Sequence, residues 1–110
     1  MRHGLVPIGD AVRMPVAALL VELHLGECGS LKEKRAVVQH LLATSRRRFG
    51  VAASEVEHHD LRQRARLGFA AVGSEAAHVE DVLDSVERFV WSHPEIDVLG
   101  ASRHWLDLDE

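Results

Sequence analysis

At 110 residues the chain is one domain with a modest core, and 46% hydrophobic with 27% charged residues is ordinary for a globular protein. The net charge of −4 hides a basic middle, and the acidic remainder of the chain argues against a general coat for RNA; a lone cysteine, Cys28, excludes an internal disulfide and a cysteine-rich zinc site within one chain. No apolar run reaches the roughly 18 residues needed to span a bilayer, and MRHGLVPIGDAVRMP lacks the apolar core of a secretion signal, so the expected compartment is the cytoplasm.

Residues 1–13 match neither helix nor strand periodicity, and residues 1–15 are expected to form a flexible extension, with Met14 a candidate start of the domain. The domain is expected over 16–107, with 108–110 as a tail. Residues 17–25, AALLVELHL, alternate: Leu19, Val21, Leu23 and Leu25 share one face, which predicts a strand with one buried side. Ser30-Leu31-Lys32-Glu33 is a capping box, and Leu31, Val38, Leu41, Leu42, Ser45 and Phe49 follow at helical spacing. A helix over 31–48 ending at Gly50 is predicted.

Residues 51–58 read as a weak edge strand, and 66–73, apolar on both faces, as a central one. Ser74 is the expected cap of a second helix with the stripe Val79, Val82, Leu83, Val86, Phe89 and Val90, stopped at His93-Pro94. Residues 95–106 predict a last strand. The order is βαββαβ. It predicts an α+β, ferredoxin-like fold: a four-stranded antiparallel sheet in the order 4-1-3-2 with two helices on one face. That plan serves many functions and names none.

The topology brings the start of the first helix beside the hairpin at 58–66. One edge then gathers Ser30, Lys32, Lys34, Arg35, His58, His59, Asp60, Gln63, Arg62 and Arg64, with His93 nearby. The stretch 30–66 holds nine basic and four acidic residues. Cations at the positive end of a helix are disfavoured by roughly 0.3–1 kcal/mol each, and free backbone N–H groups there donate to anions. Ser30, Lys32, Lys34, Arg35, Arg62 and Arg64 are therefore the anion- or RNA-binding candidates. At the opposite edge, Arg46, Arg47 and Arg48 suit the negative end of the helix and can pair with Glu75, Glu80 and Asp81.

His58 and Asp60 can share one side of a strand, yet no third metal ligand is evident, and no metal or other cofactor is expected. Asp60 reads instead as the cap of a short turn with Gln63 reaching back. Cys28, close to a helix start, is a candidate for a lowered thiol pKa. Gly68-Phe69-Ala70 resembles a fragment of an RNA-recognition signature, but Phe69 aligns with Leu67 and Ala71 as core. The phosphate-loop, dinucleotide and zinc-protease signatures are missing, and Gly26-Glu27-Cys28-Gly29 lacks the Arg of an acylphosphatase of this fold, so no catalytic residue is expected.

From Val16 onward the chain resembles the YlxP-like family, a bacterial domain of unknown function. The resemblance rests on VELHL (21–25), SLKEKR (30–35), EVEHHDLRQRARLG (55–68), AHVEDVLD (77–84) and SHPE (92–95). It implies a ferredoxin-like cytosolic protein. Genes of the family often neighbour those of translation initiation factor two and ribosome-binding factor A, which implies a role near ribosomes or RNA. The family commonly has Gly at the position of Glu57 and Trp at that of Arg62. The expected function is a non-enzymatic binding module whose partner is the ribosome or a structured RNA, with neither membrane nor DNA. The alternative is a protein-interaction domain, such as a homodimer, using the helix-free sheet face of Ala18, Leu20, Gly68, Ala70 and Val72.

Overall fold

The computed structural model describes residues 13–106. Most of the expected N-terminal extension, and the whole tail at 108–110, lie outside the described residues. The elements are β1 (Val16–His24), α1 (Leu31–Phe49), β2 (Ala52–Glu57), β3 (Arg64–Val72), α2 (Ala76–Trp91) and β4 (Asp97–Leu106). The fold is α+β. Among the described residues there is one antiparallel sheet, of order β2-β3-β1-β4, which is the expected 4-1-3-2 read from the other edge.

Alternation decides which side of the sheet is dry. In β1, Ala17, Leu19, Val21 and Leu23 are buried, and opposite them in β3 so are Ala71, Phe69, Leu67 and Ala65. Directly opposed residues of an antiparallel pair share a face. Val38, Leu41 and Leu42 of α1 and Val79, Leu83, Val86 and Val90 of α2 close the same core. Phe69 belongs to this core, so β3 carries no exposed aromatic platform.

Helix ends follow the sequence unevenly. Ser30 caps α1: its Oγ accepts the Glu33 N–H at 3.1 Å, while the Glu33 carboxylate accepts the Gly29 N–H at 2.6 Å. Gly50 closes the helix at φ 69°, a left-handed conformation that costs other residues Cβ strain. Ser74, the expected cap of α2, is not the cap. The N-cap is Glu75, without a side-chain hydrogen bond, and the helix begins two residues after Ser74.

The helix-free face has two parts. Its lower half carries Val16, Ala18, Leu20, Gly68, Ala70 and Val72, with Val56 lying 3.2 Å from where a Gly68 Cβ would sit. Its upper half is charged, around Glu22, Arg64 and Arg66. Among the described residues no helix is long and apolar enough to cross a membrane.

Candidate functional site

The loop after β1 and the loop between β2 and β3 are stitched together at one end of the sheet. The Leu25 N–H donates to the Gln63 carbonyl at 2.9 Å, and the Gln63 side-chain amide donates to the Gly26 carbonyl at 3.2 Å. This brings the start of α1 against the hairpin, as the topology predicts. Between them lies a groove of about 670 Å³ lined by Gly29, Ser30, Leu31, Asp60, Leu61, Arg62, Gln63 and Arg64.

The candidate residues divide into exposed cations and cations committed to carboxylates within the fold. Arg62 is exposed at the groove, and Lys32 and Arg35 are exposed on the first turns of α1, Arg35 one turn beyond the groove residue Leu31. Among the described residues none of these three has a carboxylate partner. The Leu31 and Lys32 N–H groups, at the positive end of the helix, also lack a hydrogen-bond acceptor among the described residues.

Lys34 is not part of this surface. It is fully buried, and its ammonium contacts the Glu55 carboxylate at 2.5 Å and donates to the His58 carbonyl at 2.7 Å. A third, longer bond reaches the His59 carbonyl at 3.4 Å. Lys34 therefore fixes the hairpin, and its charge is spent inside the protein. His58 sits at φ 70°, uncommon for a residue with a side chain, and the Lys34 bond to its carbonyl helps hold that conformation.

Arg64 faces the sheet and is also committed. Its Nε donates to Glu22 Oε2 at 3.1 Å, the Arg66 Nε donates to Glu22 Oε1 at 2.7 Å, and His58 Nε2 lies 3.3 Å from Glu22 Oε2. Arg66 reaches the Glu57 carboxylate as well, at 2.6 Å. Burial pushes the Glu22 carboxyl up, but the hydrogen bonds and charges of Arg64 and Arg66 outweigh it and hold the group below its ordinary value. The same contact to Glu22 raises the Arg66 guanidinium.

The expected turn cap is corrected. Gln63 spends its amide on Gly26 rather than reaching back to Asp60, and the turn is closed by the Leu61 N–H on the His58 carbonyl at 3.0 Å. Nor do His58 and Asp60 form a pair: His58 turns to Glu22, and His59 bonds the Glu55 carbonyl at 2.9 Å. Among the described residues no three His, Cys, Asp or Glu side chains are placed to hold a metal ion.

Cys28 is buried, and its thiol is pushed up by burial first and then by Glu33 and Glu95, against a smaller opposing effect of Lys34. The lowering that a nearby helix start could give is outweighed, and the thiol stays protonated at neutral pH. In the native protein Cys28 should resist a thiol reagent at pH 8 and titrate fully once denatured; rapid native labelling would contradict the assignment. At the far end of the sheet Arg46 donates to the Ala53 carbonyl at 2.7 Å and Arg48 lies over the Phe49 and Phe89 rings at 5.0 and 5.7 Å. The expected ion pairs with Glu75, Glu80 and Asp81 are not formed among the described residues.

Residues 16–103 match the family described as "Protein of unknown function (DUF503)". Over 84 residues, covering 76% of this chain and 91% of the relative, the sequence is 39% identical to "Uncharacterized protein YlxP" of Bacillus subtilis (strain 168). Together with the βαββαβ order, these matches place the chain in the DUF503, YlxP-like family of domains of unknown function.

Proposed function

We propose that this ferredoxin-like domain is a non-enzymatic binding module whose groove at the start of α1 takes phosphate groups of a structured RNA, such as ribosomal RNA. The observation that carries the reading is the set of exposed cations without carboxylate partners among the described residues: Arg62 in the groove, Lys32 in the first turn of α1 beside it, and Arg35 one turn further on. Cations cost free energy at that end of a helix unless an anion joins them. The nearby lysine and arginine that resemble ligands in sequence, Lys34 and Arg64, are tied to Glu55 and Glu22 and shape the groove instead. One carboxylate, Asp60, also lines the groove, which favours a partner held at a few points over one coated by charge. The gene neighbourhood implied by the family resemblance is in keeping with an RNA partner.

The test is to isolate the tagged protein from cells at low salt and identify the nucleic acid that accompanies it. Structured RNA or ribosomal subunits, released as the salt is raised, are expected. Protein free of RNA at low salt would sink the proposal.

A further inference from the structure

The last strand ends Gly100-Ala101-Ser102-Arg103-His104-Trp105-Leu106: two small residues, three polar ones, two large ones. These seven pair with β1 in unbroken register, from Glu22 opposite Gly100 to Val16 opposite Leu106. β4 is terminal in the sheet, so among the described residues no strand pairs its other side. No backbone hydrogen bond from residues 100–106 runs beyond the sheet among the described residues.

The two sheet edges are treated differently. β2 is short, carries Glu55 and Glu57, and has its register broken between them. Shortness, charge and bulges are the features that keep an edge from pairing. In β4 the irregularity precedes Gly100, and the one full charge in the seven residues, Arg103, is turned onto α2, where it meets Asp84 at 2.9 Å and Glu87 at 3.0 Å. Trp105 and Leu106, 46% and 55% exposed, stand at its end.

An unpaired regular edge is completed by another extended strand, and the size pattern indicates which one. Placed antiparallel to itself about a two-fold axis at Arg103, the strand sets Ala101 opposite Trp105, Gly100 opposite Leu106 and Ser102 opposite His104. The faces agree, because Ala101, Arg103 and Trp105 lie opposite Val21, Leu19 and Ala17 on the helix side, and the even-numbered residues lie on the other. Each large side chain meets a small one, and the two arginines at the axis arrive with their charges already met by carboxylates. We infer that the protein forms a two-fold dimer through β4, joining two sheets into one of eight strands. The inference does not depend on the groove at α1, which no residue of β4 lines.

Sedimentation equilibrium across a wide concentration range tests it. The expected mass is twice 12.2 kDa. Ala101→Lys, a charge on an exposed edge position, should shift the protein to monomer with unchanged circular dichroism. Trp105→Ala should weaken self-association by more than about tenfold, the loss of a buried aromatic anchor. In a Cys28→Ser background, Ala101→Cys combined with Trp105→Cys should form a disulfide-linked dimer on oxidation. A monomer at every concentration overturns the inference. So does a dimer indifferent to both edge substitutions, which would place the interface elsewhere, for example on the helix-free face.

Discussion

Replacing Lys34 by methionine is expected to lower the unfolding free energy by about 3–5 kcal/mol, the usual effect of removing one partner from a buried ion pair. The side chain is inaccessible to solvent, and its Glu55 partner is only 12% exposed. Methionine fills the space of the lysine stem but leaves the Glu55 carboxylate and the His58 and His59 carbonyls without their donor. Unpaired buried charge is what makes the loss large; the pair itself is not a large net gain over apolar packing. Lys34→Met combined with Glu55→Leu should therefore recover a good part of the stability. Urea unfolding of the two variants checks this. A single variant as stable as the parent would mean that Lys34 is not held as described, and would return it to the surface cations.

Glu22→Gln has the second largest expected effect. The carboxylate accepts from Arg64 and Arg66 and lies beside His58, so the substitution removes charge-assisted hydrogen bonds, worth about 1.5–3 kcal/mol where a charged group is involved. The loss should carry a pH signature. Folding lowers the Glu22 pKa below its ordinary 4.5, so the folded state holds the proton less firmly than the unfolded one. The stabilisation is complete above that ordinary value and disappears as pH falls through the lower folded value. Parent and variant should thus differ most at neutral pH and converge in acid. A difference that stays constant down to the acid transition would show that the ionised carboxylate is not the source.

Much of the fold could be read from residues that answer to local rules. Alternation in 17–25 gives a half-buried strand, Ser30 and Glu33 form a helix start, and Gly50 must take a left-handed conformation. Element order then restricts the sheet, and the sheet order places the hairpin beside α1. What escaped were side chains whose fate is decided by distant partners. Lys34 looked like a surface cation beside Lys32 and Arg35. Yet it shares the apolar stripe of Val38, Leu41 and Leu42 at helical spacing, and Glu55 lies on the inward side of β2, opposite Leu67. A lysine and a glutamate both at inward positions is a signal for a buried pair, and it was present in the sequence. The turn at 58–63 had no such signal: its shape depends on an ammonium arriving from another element. Cys28 likewise follows the helix-start rule only until burial and the carboxylates of Glu33 and Glu95 are counted.

Charge reversal in and beside the groove separates shape from recognition. Lys32→Glu and Arg62→Glu alter exposed side chains and should leave the unfolding transition in place, whereas reversal at Lys34 would act through the fold. The most direct measurement is the affinity of the purified protein and of the Lys32→Glu/Arg62→Glu variant for ribosomal subunits at stepped salt. About three phosphate contacts give a slope near −2 to −3 for log affinity against log salt. The groove account predicts that slope for the parent, with a shallower slope and weaker binding for a variant that remains folded. Binding that ignores salt, or is the same in both proteins, would contradict it.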